Sequence, residues 1–232
     1  MYAPQRTEQT ATLPSGRKVT ILEMMGKQDS LMKTLTPKTA HAVVNRLLID
    51  SIKDLDGAAG TVSETQVDDL LQGDRLAIIL YLRVLTHGPI ITYKLDCPSC
   101  KQKSEHEIDI QPVLDSIVPY PNWNAREFSI DLSGSAVFFN LPTGVTEKKI
   151  SESSLRDVNA RLAAMDIWEK HGEGKMMLQI DTMRSRDIAT LRKSVRDLEC
   201  EIDSTVQVNC ECGETFARGI LENHDFLFPN LT

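Results

Sequence analysis

The 232-residue chain has little with which to grip a polyanion or to run a reaction. Aromatic residues make up 5% of it, and 33 acidic residues outnumber 26 basic ones for a formal net charge of -7. Binding a phosphate backbone needs clustered Lys and Arg that displace counterions, so this balance argues against a protein whose main role is to hold nucleic acid. The five histidines are scattered singly, and no H-E-x-x-H, Walker loop, G-x-G-x-x-G or G-x-S-x-G is present. That leaves no evident activated water and no nucleophile with its base, so a non-enzymatic role is expected. The longest apolar run, Leu76 to Leu82, is far short of the ~20 residues of a membrane-spanning helix. The first residues also lack the charged and then apolar segments of a secretory signal. Folding in a reducing cytosol is therefore expected, where thiols favour metal over disulfide.

What is present is an ordinary globular composition, 41% hydrophobic and 25% charged, in a chain long enough for one domain or two modest ones. Four of the five cysteines fall into two short, turn-forming clusters: Cys97 and Cys100 in LDCPSCKQ, and Cys210 and Cys212 in VNCECGET. Four thiolates make a closed tetrahedral shell of the kind zinc takes in structural sites, with no position open for a reactive water. The second cluster is C-x-C followed by Gly, where a standard ribbon shows C-x2-C. A competing shell would exchange one thiolate for His106 or His224. Cys200, in VRDLECEIDS, reads as a small apolar side chain with no metal role. Bringing the two pairs together closes a loop of over a hundred residues at a cost of several kcal/mol. Structural zinc, with apparent binding free energies on the order of 10–16 kcal/mol in small peptides, can offset that.

The pattern predicts an α+β fold of antiparallel β-hairpins with a split zinc-ribbon-like site, surrounded by helices. Residues 1–11 read as a loose terminus. A hairpin turns at Pro14–Gly16, with Val19 and Ile21 on one face. A helix opens at Thr36 and Pro37, carries the stripe Ala40, Val43, Val44, Leu47, Leu48 and Ile52, and ends near Asp56 and Gly57. Ser63 and Gln66 offer a capping box into one helix reaching Gly88 and Pro89. Period-two alternation then flanks each cysteine pair, and a further hairpin turns at Ser133–Ser135. Between about 146 and 199 the reading is helical, with Leu155, Val158, Leu162, Met165 and Trp168 at helical spacing. These elements divide the chain into an N-terminal hairpin and helical region (1–89), the first knuckle with a hairpin (90–145), a helical insertion (146–200), and the second knuckle with its tail (201–232) packing on 90–145. Asp68, Asp69 and Asp74 read as solvated charge, and His87 as a ring near the carbonyls of a helix end. Arg75 and Arg83 need acceptors from elsewhere in the chain or from another chain. The closing HDFLFPNLT either tucks into the core or inserts into a neighbour.

The LPSG hairpin, the GDRLAIILYLRVLTHGP helix, the TYKLDCPSC knuckle and the late CECG knuckle together resemble the baseplate protein family of contractile-tailed, T-even-like bacteriophages. The resemblance implies a tail protein that is built into the baseplate or helps its hub assemble in the infected cytoplasm. Its partners would be other baseplate or hub chains, with a homo-oligomer also open, and no small-molecule substrate. Cys97, Cys100, Cys210 and Cys212 are the positions it carries over, and the C-x-C spacing puts the fourth ligand in question.

Overall fold

The computed structural model describes residues 5–122, 125, 127–153 and 159–220. Strands β1 (Glu8–Thr12) and β2 (Lys18–Leu22) form the first hairpin. Helices α1 (Gly26–Met32) and α2 (Ala40–Ser51) follow, then β3 (Ile52–Leu55), β4 (Ala58–Ala59), α3 (Glu64–Asp68) and α4 (Gln72–His87). Next come β5 (Ile90–Asp96), β6 (Lys103–Asp109), α5 (Gln111–Asp115), β7 (Glu127–Leu132), β8 (Ser135–Asn140), α6 (Gly144–Glu152) and α7 (Ala160–Ala164). The chain continues through β9 (Ile167–His171), β10 (Gly174–Met177), α8 (Ser185–Leu198), β11 (Thr205–Asn209) and β12 (Thr215–Gly219).

Strands pair into two four-stranded antiparallel sheets, β1-β2-β3-β4 and β10-β9-β8-β7, and two separate ribbons, β5-β6 and β11-β12. Around these the described residues form two hydrophobic cores. The first joins Val19 and Ile21 of β2 to Leu47 and Leu48 of α2, to Ile78, Leu80 and Leu82 of α4, and to Ile91, Val208 and Ile220 from the ribbons. The second joins Val137 and Phe139 of β8 and Ile167 of β9 to Leu191 and Val195 of α8. Helix α8 presents one apolar stripe, with Leu191 and Val195 buried and Ile188 and Leu198 packed beside them. The opposite face is solvated, as expected of a surface helix.

The cores meet at the start of α4. The Gln72 N–H donates to Pro142 O at 3.0 Å, the Gly73 N–H to Tyr120 Oη at 2.9 Å, and the Gly144 N–H to Leu70 O at 3.2 Å. Gly144 opens α6 where a Cβ would lie 2.9 Å from the Asp68 backbone and 2.8 Å from the Arg75 guanidinium, so only glycine allows this approach. Arg75, 1% exposed, donates to Val67 O and pairs with Glu147 at 2.7 Å. Arg83 donates to the carbonyls of Gly88 and Ile90, satisfying the chain as it leaves α4. Both arginines are thus served from within the chain. Cys200 packs at the edge of the second core, where its thiol also hydrogen-bonds with the Tyr120 hydroxyl, so it is not purely an apolar filler.

Five local expectations change. Glu8–Thr12 is a paired strand, and Arg6 donates to Glu23 O and Asp50 O, so residues 5–11 are tied down. Residues 36–39 form a turn, α2 starts at Ala40, and Ile52 has already left the helix to pair with Ile21. The helix expected from Ser63 to Gly88 breaks at Asp69–Leu71, because the Gln72 N–H finds its acceptor in Pro142 rather than one turn back. Its capping box at Ser63 and Gln66 is present. Trp168 lies in strand β9 opposite Phe138, not in a helix. Aromatic and β-branched residues at 167–168 pack across the pleat, and tertiary pairing overrides the helical spacing. Asp74 is 1% exposed, and Asp68 accepts from Asn45 and pairs with His41, so these two are not solvated charge, whereas Asp69 is exposed as expected. Leu155, Val158, His224 and the closing apolar segment lie outside the described residues.

Candidate metal centre

Each cysteine pair sits on the loop of a β-ribbon, and the backbone explains why each loop turns so tightly. In the first, the Cys97 N–H donates to Gln102 O and the Lys101 N–H to Cys97 O, both at 3.0 Å, with Lys101 at φ +62°. In the second, the Cys210 N–H donates to Glu214 O at 2.8 Å and the Gly213 N–H to Cys210 O at 2.9 Å, with Gly213 at φ +90°. Glycine adopts that left-handed backbone without strain. The second turn closes one residue sooner than the first. The shorter turn thereby absorbs the residue missing from the C-x-C spacing, and Cys212 reaches the cluster.

All four sulfurs lie within 4.8 Å of one another. Cys97 Sγ and Cys212 Sγ are 3.7 Å apart, as are Cys100 Sγ and Cys210 Sγ. A regular tetrahedron of thiolates with metal–sulfur bonds of about 2.3 Å has edges of about 3.8 Å, so the four Sγ atoms are close enough to bind one metal ion. Cys97 and Cys210 are buried while Cys100 and Cys212 are exposed. The site therefore has an inner and a solvent side.

Charge within the cluster is strongly unequal. The Cys100 N–H, helped by the Ser99 N–H and the neighbouring thiols, holds the Cys97 thiol down at about 7 against the effect of burial. At Cys100 the Gln102 N–H favours the thiolate, but burial and the Cys212 and Cys97 thiols prevail and raise it. At Cys210 the Cys212 N–H acts in the same sense, and hydrogen bonds with the surrounding sulfurs together with burial push the thiol up to about 12. Four thiolates cannot coexist at such a distance without a cation, and an entering metal would displace their protons.

The other candidates are placed elsewhere. His106 pairs through Nε2 with Ser104 Oγ at 2.8 Å and sets its ring edge-on to Phe216, away from the sulfurs. Among the described residues the cysteine quartet is the one group of three or more Cys, His, Asp or Glu side chains close enough to share an ion. Near the first knuckle Lys94 faces Glu105 across the ribbon at 3.4 Å, so its positive charge is locally matched. The two ribbons share no ladder. What joins them besides the sulfurs is the Tyr93 hydroxyl, donating to Ile220 O at 2.6 Å, the His106–Phe216 contact and shared burial in the first core. Asp74, which reads in the sequence as solvated charge, is instead a buried acid. Its signal was positional, since it stands three and four residues before Ala77 and Ile78 on the buried face of α4.

Two sheets, two cores and a remote pair of thiol turns folded onto one point define a mixed α+β scaffold with a potential closed metal shell. A family model described as T4 bacteriophage base plate protein matches residues 6–227. The chain belongs to that family. No curated protein and no solved structure matches it.

Proposed function

We propose that this chain is a non-enzymatic structural or hub-assembly component of the phage baseplate, held in shape by a zinc ion on Cys97, Cys100, Cys210 and Cys212. The observation that carries the metal assignment is the 3.7 Å spacing of opposed sulfurs, close to the edge of a zinc tetrathiolate. Four thiolates saturate the ion, so its chemistry is that of a staple. An assembly component must keep its surfaces shaped while many chains meet, and a staple between residues more than a hundred positions apart serves that need. Its neighbours would be other baseplate or hub chains, met in the host cytoplasm as the tail is built.

Two measurements test the reading. Elemental analysis of the purified protein should find one zinc per chain, lost in Cys210→Ser; a protein with equal stability and no bound metal overturns the staple. Affinity purification from infected cells, followed by identification of the co-purifying chains, should recover baseplate subunits. Recovery of the chain alone at every stage of infection overturns the assembly role. Its presence in or absence from finished particles then separates a permanent part from an assembly factor.

A further inference from the structure

Two close sulfur contacts cross from one ribbon to the other. Cys97 Sγ of the first loop faces Cys212 Sγ of the second, and Cys100 Sγ faces Cys210 Sγ, both at 3.7 Å. Each contact also joins a buried sulfur to an exposed one: Cys97 and Cys210 are buried, Cys100 and Cys212 open to solvent. A disulfide holds its sulfurs about 2.05 Å apart, so either pair closes by drawing together less than about 2 Å. The fifth thiol, Cys200, lies against Gly73 and Tyr120 and belongs to neither contact.

The pairing decides what an oxidant does to the fold. Four cysteines allow three pairings. Bonds within each loop, Cys97 to Cys100 and Cys210 to Cys212, leave the ribbons unlinked. Bonds along the facing contacts close chain segments of 115 and 110 residues, and a cross-link restricts the open chain more as its loop lengthens. An oxidant that reaches the exposed sulfurs therefore meets a quartet whose buried members are already placed to complete the bonds.

We infer that the quartet is a modification site at which a peroxide exchanges the ion for two ribbon-to-ribbon disulfides, Cys97–Cys212 and Cys100–Cys210. The exposed Cys100 and Cys212 thiolates react first. Each attacks one peroxide oxygen and breaks the O–O bond; the sulfur becomes a sulfenic acid, and the departing hydroxide takes a proton to leave as water. The buried thiolate facing it, of Cys210 or Cys97, then attacks the sulfenic sulfur, and the S–O oxygen leaves with a further proton as a second water. For the whole quartet, four sulfurs each lose one electron to two molecules of hydrogen peroxide, four protons are taken up, four waters form and the zinc ion is released. Outside a reducing compartment the two loops then stay joined without metal. The metal-loaded starting state rests on the zinc reading; the pairing of the sulfurs does not.

The test treats the full chain, purified under reducing conditions, with increasing hydrogen peroxide. Zinc release is read with a chromophoric chelator, and pairing by mass spectrometry of peptides from the unreduced protein. The expected result is two disulfides per zinc released, Cys97–Cys212 and Cys100–Cys210, with Cys200 still a thiol. Hydrogen exchange at Thr205–Gly219 should then stay within about threefold of the metal-loaded protein, where the reduced, metal-free chain loses about a thousandfold in protection. In Cys100→Ser only Cys97–Cys212 should form, and the parent's pairing decides the matter whether or not that variant folds. Any other pairing, or oxidation that ends in sulfinic and sulfonic acids, overturns the inference. The expected pairing in a protein that held no zinc upholds the covalent lock and overturns the zinc staple. Zinc bound and then released without disulfides does the reverse.

Discussion

Replacing Cys210 by Ser should release the last ribbon, taking Val208 and Ile220 from the first core while leaving its α2 and α4 part and the second core standing. The pair Cys97 and Cys212 closes a loop of 115 residues, and chain-entropy arguments put such a closure at roughly 4–5 kcal/mol. Without an ion, the ribbon β11-β12 is held chiefly by buried Val208 and Ile220 and by the Tyr93–Ile220 hydrogen bond. Each of these two buried aliphatic side chains contributes about 1.5–3 kcal/mol and the hydrogen bond about 1 kcal/mol, about 4–7 kcal/mol in all, which meets the closure cost with little to spare. The metal-free ribbon is therefore poised between docked and open. Hydrogen exchange read by mass spectrometry should show the amides of Thr205–Gly219 losing about a thousandfold in protection in Cys210→Ser, or after chelation, because about 4 kcal/mol corresponds to that factor. Amides of α4, whose apolar residues lie in the first core, should exchange as in the parent. A uniform loss across α4 and the ribbon, or unchanged protection of Thr205–Gly219 after the metal has gone, would refute the reasoning.

Three further perturbations have defined outcomes. Gly73→Ala adds a Cβ 2.0 Å from Cys200 Sγ and 2.7 Å from Tyr120 Oη, so it should cost about 1–3 kcal/mol by urea denaturation, with partial rescue when Cys200→Ala is added. Glu147→Gln leaves the buried Arg75 guanidinium without its counter-charge and should destabilise by about 3 kcal/mol, whereas Lys94→Gln on the exposed ribbon pair should change stability by less than about 0.5 kcal/mol. Asp74 binds its proton more tightly in the folded chain than at the ordinary value of 3.8, so the folded state holds more protons and stability falls as pH rises through the window above 3.8. Asp74→Asn should lack that decline in unfolding midpoints measured across the same window; an identical pH slope in both proteins would show that the carboxyl does not titrate there.

Hairpins were legible wherever alternation ran into a compact turn. Val19 and Ile21, the strands flanking both cysteine pairs, and the Ser133–Gly134 turn all follow from period-two patterning, which depends on nearest neighbours alone. The thiol spacing likewise foretold that four sulfurs converge, since few arrangements other than a shared ion suit two such tight turns. Trp168 misled because apolar residues three and four apart suit a helix as well as a strand whose neighbour is remote in sequence. Its partner Phe138 lies thirty positions earlier. The break at Asp69–Leu71 and the burial of Asp74 were hidden for a related reason. Both depend on residues remote in sequence that meet the start of α4, Pro142 at Gln72 and Ser15 at Asp74. Such meetings leave no local periodicity to read.

The separation of the two thiol turns has a temporal side. Synthesis exposes Cys97 and Cys100 long before Cys210 and Cys212 exist, and at 5–20 residues per second the interval for 115 residues is on the order of ten seconds. During that time the nascent chain carries only two of the four thiols, half of the chelate they would form together. If the four thiols hold an ion, its enclosure would have to wait for the last ribbon, and a shortage of metal would leave the first core without the firm docking of Val208 and Ile220.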